Sequence, residues 1–177
     1  MNQEGTCLWL DRIVPAPLEF KDVDGHRLAM ATLDTGESLV ATTDFADTDT
    51  GLVAQGLSVR SELLTVARAG KPELARLVIE AAELLIAARV IPAQPGTLLP
   101  KLGENTHGML IAPFLWNGPT PQLKEPDRWT LILQLVALND AEYAFAVEEG
   151  VAAFQEEATR AGIDLLDFTR VGPQPVD

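Results

Sequence analysis

Residues 129–143 read WTLILQLVALNDAEY, and the order of patterns inside this stretch settles most of the architecture. Its first ten residues are almost wholly apolar, which predicts a central strand covered on both faces. Asn139 or Asp140 then offers a side-chain oxygen to cap a helix. From there Tyr143, Val147, Val151, Phe154 and Ala158 recur as one apolar stripe, with Glu142, Glu149 and Glu156 on the solvent side, so a helix is predicted over 140–161. Gly162 supplies its stop.

Working outward, the next firm element lies upstream. Lys71-Pro72-Glu73 opens a helix over about 72–90, since proline is tolerated in the first turn. Leu74, Leu77, Val78, Ala81, Leu85 and Ala88 form its buried stripe, opposite Glu73, Arg76, Glu80 and Glu83. The first 67 residues read as β. Residues 7–14 predict a short strand stopped by Pro15 and Pro17. Residues 18–23 and 26–33 flank Asp24-Gly25, the two-residue signal of a type I′ hairpin. A second turn at 34–36 leads into a strand at 38–42, completing a meander. Residues 44–51 are polar and turn-rich, hence a loop, and 57–67 carry enough β-branched residues for a strand. The region 96–128 is irregular and punctuated by proline, with a bent or edge strand predicted at 108–116 around Pro113. Residues 163–168 suggest one more short strand and 171–177 a loose tail. The expected fold is α+β: one domain spanning 1–177, with a mainly antiparallel or mixed sheet and two main helices packed on it.

Composition bounds the function. The chain has 177 residues, 47% of them hydrophobic, with a mean hydropathy of +0.11, as expected for one folded domain. Thirteen Lys and Arg against 26 Asp and Glu give a net charge of −13. Phosphates would be repelled over most of such a surface, which argues against nucleic acid or an anionic membrane as the ligand. No apolar run approaches the roughly 18 residues of a membrane span, and the sequence starts without the pattern of a signal peptide. A cytoplasmic location is the expectation, in keeping with a single cysteine, Cys7, that has no internal partner.

Catalytic patterns are sparse. His26 and His107 are the two histidines, too far apart in sequence for metal-ligand spacing, and no metal or cofactor is expected. His26 reads as an exposed turn residue and Cys7 as a small buried hydrophobe. His107, in the polar stretch Asn105-Thr106-His107-Gly108, is the one residue that invites an active-site reading. Asp44, Asp47 and Asp49 precede Gly51 but lack the alternate spacing and terminal glutamate of a calcium loop. Residues 51–56 are neither a P-loop nor a dinucleotide fingerprint.

Two places resemble the suppressor of fused domain family. One is Gly56-Leu57-Ser58 followed by Arg60-Ser61-Glu62-Leu63-Leu64. The other is 133–143 with Glu142-Tyr143, then Val147-Glu148-Glu149-Gly150, similar to the family's apolar strand, helix cap, Glu-Tyr pair and glycine. Ala137 stands where a proline is usual and Asn139 where a threonine is usual. The resemblance covers about 50–168. It implies no catalytic centre, and at this length it implies the compact bacterial kind, whose members act as immunity proteins against polymorphic toxins.

The expected function is therefore a non-catalytic protein-binding module, an immunity protein that neutralises a toxin by direct binding. The partner is a protein, with a basic toxin suited to the acidic surface. Asp44, Asp47 and Asp49 are candidate steering residues and Trp116 the candidate anchor, since aromatic residues dominate hot spots. Two alternatives stand beside it: a small enzyme or small-molecule binder with its site in 96–128, and a homo-oligomeric scaffold.

Overall fold

The computed structural model describes residues 2–88, 91–116 and 119–171. The meander forms as the sequence predicts: β1 (Glu19–Val23), β2 (His26–Thr32) and β3 (Ser38–Thr42) pair antiparallel in succession. Asp24 and Gly25 both take positive φ, 49° and 86°, the backbone a type I′ turn requires. After β3 come β4 (Val53–Ala54), β5 (Leu57–Ala67) and α2 (Lys71–Ala88). β6 (Leu98–Leu99), β7 (His107–Ile111), β8 (Gln122–Lys124) and β9 (Arg128–Leu138) complete one mixed sheet.

The sheet runs β1-β2-β3-β5-β9-β7-β6, with β4 beside β5 and β8 beside β9. As expected, β9 is interior. It pairs antiparallel with β7 and parallel with β5, in the register Ser58↔Arg128, Arg60↔Thr130 and Glu62↔Ile132. That register sends alternate residues of the two strands to opposite layers. Leu63, Leu133 and Leu135 meet Leu77, Val78, Ala81 and Leu85 of α2 on one face. On the other, Leu64 and Ile132 meet Leu10 and Val14 at the N-terminal helix, α1 (Gln3–Ile13). Further along that face Val136 and Leu138 meet Ala146, Phe154 and Ala158 of the C-terminal helices.

Several predicted elements take another form. Residues 7–14 belong to α1, not to a strand. Asn2 caps it by accepting from Gly5 N–H at 3.0 Å, and Thr6 and Leu10, four apart, face inward. The prolines end a helix here. The helix predicted over 140–161 is two, α3 (Asp140–Glu149) and α4 (Val151–Ala161), because Gly150 at φ 93° and ψ 156° lies outside helical space. The strand predicted at 108–116 ends at Ile111, just before Pro113. Residues 163–168 hold a single bridge, Arg68↔Asp167, in place of a strand. Asp164 and Asp167 accept from the backbone N–H two residues on, and these local turns compete with a ladder. Val171 is buried against the α2 core and so does not belong to a loose tail, and the rest of that predicted stretch, 172–177, lies outside the described residues.

Candidate partner-binding surface

The three candidate aspartates stand where the ladder along β5 is interrupted. One edge of β5 pairs with β3 at 64–67 and with β4 at 57–58. Residues 43–52 span the gap, with a 3-10 turn at Phe45–Asp47. The backbone donors of β5 in that gap find other partners: Val59 N–H donates to Leu52 O at 2.8 Å, and Leu63 N–H to Thr42 Oγ1 at 2.9 Å. The Thr42 hydroxyl in turn donates to Glu62 Oε2 at 2.5 Å, while Ala46 N–H donates to Glu62 Oε1 at 3.3 Å. Glu62 is fully buried. Burial pushes its carboxyl up to about 8, against the smaller opposing pull of the Thr42 and Ala46 hydrogen bonds.

Asp44, Asp47 and Asp49 each face a different basic side chain. Asp44 is half-buried, 3.8 Å from His26 Nδ1, and His26 Nε2 lies 3.6 Å from Glu83. Burial raises the Asp44 carboxyl and the neighbouring imidazole offsets part of that rise. His26 is therefore wedged between two carboxylates, not exposed at the turn as the sequence suggested. Asp47 pairs with Arg128 at 3.8 Å and Asp49 with Arg60 at 3.0 Å. These two aspartate side chains are 64% and 57% exposed while both arginines are only 17% exposed, so the carboxylates form the outer layer of the pairs. Beneath them Ser58 Oγ, Arg60 Nε, Arg60 Nη1 and Thr130 Oγ1 are buried without a protein partner.

Trp116 is not grouped with the aspartates by any described hydrogen bond or ion pair. It is half-buried, packs against the α1 cluster, and its indole N–H donates to Ile13 O at 2.6 Å. Phe114, two residues earlier, is the exposed aromatic of that segment. Asn117 and Gly118 lie outside the described residues. Cys7 sits half-buried on α1.

His107 has both ring nitrogens engaged. Nδ1 accepts from Lys101 N–H at 3.2 Å, which places the proton on Nε2, 2.9 Å from Asp140 Oδ1. The ring stacks on Tyr143 at 4.0 Å between centroids. This arrangement fastens the start of α3 to β7 and leaves no ring nitrogen free to act as a base. Among the described residues no three His, Cys, Asp or Glu side chains gather so as to hold a metal ion, and no helix is long and apolar enough to cross a membrane.

The residues that sequence reasoning passed over are Glu62, Arg60 and Arg128. Arg60 and Glu62 stood as charges inside the strand read at 57–67, and Arg128 closed the region read as irregular, one residue before the apolar run. Their partners lie at the end of β3, in the 43–52 connection and at Glu125, so only the folded chain brings them together.

No model of a known protein family matches the chain, and no curated protein matches it. Solved structures do. The fold is similar to that of a putative SUFU (suppressor of fused protein) homolog from Neisseria gonorrhoeae, with a TM-score of 0.68 over 97% of this chain and 94% of that one at 12% identity. It is also similar to a chain of the Sufu-Fu complex, with a TM-score of 0.57 over 95% and 90% at 15% identity. The chain thus has a SUFU-like fold, as its sequence resemblance implied, with the α+β architecture that the order of its elements predicted.

Proposed function

We propose that this chain is a non-catalytic protein-binding module, an immunity protein that neutralises a basic toxin by direct binding in the cytoplasm. The observation that carries the reading is the SUFU-like fold running through nearly the whole chain, one of whose matches is a chain taken from a protein–protein complex. The surface chemistry supports it. Asp47 and Asp49 project from the connection between β3 and β4, each paired with an arginine. Val53, 66% exposed, follows on the same connection and gives that acidic surface an apolar contact. Long-range attraction from a net charge of −13 raises the encounter rate with a basic partner. Trp116 contributes through the segment it anchors to α1, and Phe114 offers the aromatic surface there.

The test is to read the genes that neighbour this one for a basic toxin and, with that toxin, to co-express the two proteins, read as growth rescue and co-purification; neighbours without a toxin count against the immunity role. Association is then measured from low to high salt for the wild type and for a variant with Asp44, Asp47 and Asp49 changed to Asn. Rescue with a salt-sensitive on-rate that drops in the triple variant supports the reading. Absence of a complex with that toxin overturns the immunity role, and an on-rate indifferent to salt and to the three substitutions removes the aspartates from it.

A further inference from the structure

Against the charge of the whole molecule, one cleft is rimmed by cations. α2 packs chiefly on β3 and only lightly on β2. The sheet continues one strand further, to β1, whose face on the α2 side is left without a covering helix. The register Glu19↔Met30, Lys21↔Leu28 and Val23↔His26 puts Lys21 and Val23 on the side of Met30 and Leu28, which pack with Leu74 and Ala75 of α2. Between the bare strand and the first turns of α2 lies a cleft of about 360 Å³. Met30, Val23, Pro72 and Ala75 make its apolar surface, and Lys21, Lys71 and Arg76 stand around it together with Asp24.

Three cations line the cleft against one lining carboxylate, Asp24, while Glu80 lies close enough to Arg76 for that cation to offset part of the burial-driven rise of its carboxyl. Lys21 and Lys71 share a single carboxylate, Glu19, at 2.9 and 3.8 Å. Arg76 forms no ion pair among the described residues. Three of only 13 basic residues in the chain thus converge on one apolar recess. The N-terminus of the 18-residue α2, which begins at Lys71, adds partial positive charge to the same rim.

We propose that this cleft binds a small organic acid, a carboxylate carried on an aliphatic or aromatic body. The carboxylate lies between Lys71 and Arg76 and the apolar body rests against Val23 and Pro72, above the almost fully buried Met30 and Ala75 of the floor. The volume is at the lower end for small-molecule sites and amounts to about twelve water-sized volumes of roughly 30 Å³ each. A compact ligand fills it. The eight lining residues come from β1, β2, their hairpin turn and the start of α2.

The experiment labels the methionine methyl groups with carbon-13 and titrates the intact protein with butyrate, hexanoate, octanoate and hexan-1-ol. Met30 reports the cleft, and Met109, fully buried in the α3–α4 cluster, is the internal reference. The expected result is a saturable shift of Met30 alone. Affinity should rise about three- to four-fold per added methylene until the cleft is filled, with hexan-1-ol at least ten-fold weaker than hexanoate. The double variant Lys71→Gln, Arg76→Gln should weaken hexanoate at least ten-fold while the Met109 resonance stays in place, showing that the fold survives. An unmoved Met30, equal movement of Met30 and Met109, equal affinity for the alcohol, or unchanged affinity in the double variant overturns the proposal. So does a short acidic peptide that shifts Met30 where no alkanoate does.

Discussion

Replacing Glu62 by Gln should remove a pH dependence that the wild-type protein carries. Glu62 ionises near 4.5 in an unfolded chain and is pushed up to about 8 in the folded one by complete burial. Below pH 4.5 it is protonated in both states and has no effect on stability. Between 4.5 and about 8 the unfolded state releases the proton and the folded state keeps it, so the folded state binds more protons and stability falls as pH rises. At 1.36 kcal/mol per unit, the loss is about 3 kcal/mol at pH 7 and levels off at about 5 kcal/mol above pH 8. Gln has the same shape and retains an oxygen for Ala46 N–H, and its amide can donate to the Thr42 hydroxyl. Urea unfolding of both proteins at half-unit steps from pH 5 to 9 should therefore give curves that diverge as pH rises, with Glu62→Gln increasingly the more stable. Glu80, also raised by burial, is common to both proteins and cancels in the difference, whereas the charge of Asp44 adds to the rise at Glu62 and is part of the effect measured. Parallel curves, or a wild type that gains on the variant toward pH 8, would refute this account of Glu62.

Leu135→Ala, which empties a fully buried position between β9 and α2, should cost about 2–5 kcal/mol, whereas the exposed Glu149→Ala should stay within about 0.5 kcal/mol, both by urea unfolding. Gly108→Ala would bring a Cβ to 2.6 Å from Leu102 Cδ1 and 2.8 Å from Leu135 Cδ1, and this overpacking should cost about 1–3 kcal/mol. Trp116→Phe keeps an aromatic ring but abandons the Ile13 carbonyl at the end of α1. A loss of about 1 kcal/mol is expected, with faster amide exchange in α1. The melting temperature should not change when a chelator is added, because neither His26, His107 nor the three aspartates converge as ligands, and a drop would identify a bound ion.

What the sequence made legible was local. The Asp24-Gly25 hairpin, the stripe of α2 and the capped start of α3 each depend on residues within a few positions of one another. α1 shows where local reading fails: residues 7–14 are apolar enough for a strand, and a short apolar run does not choose between strand and helix. The deciding signal was Asn2, an N-cap placed four residues before Thr6 and eight before Leu10. Gly150 was visible too, but an uninterrupted apolar stripe outweighed it. The aspartate–arginine pairs were beyond reach for a different reason. Arg60 and Arg128 come to neighbouring rungs only because β5 and β9 run parallel, and that pairing is made across a connection of sixty residues.

The residues that carry the family resemblance build the scaffold. Asn139 accepts from Glu142 N–H at 2.9 Å while Glu142 accepts from Asn139 N–H at 3.1 Å, a complete capping box. The same Glu142 carboxylate takes the Arg170 guanidinium, whose Nη2 donates to Ala137 O at 3.0 Å, and both side chains of the pair are largely buried. Tyr143 supports the His107 ring. The resembling stretch therefore locks the end of β9, the start of α3 and the 3-10 turn at Phe168–Val171 into one unit. Removing one partner of such a pair strands the other charge away from water, so substitution at Glu142 or Arg170 acts on stability before it can act on recognition. A partner that reads this protein must find its specificity in what the scaffold displays. The displayed chemistry differs at two places on it: carboxylates at the β3–β4 connection and cations at the bare edge between β1 and α2. Under the two proposals, ligands of opposite charge meet different parts of one sheet, and neither part includes the Glu142–Arg170 pair that locks the resembling stretch.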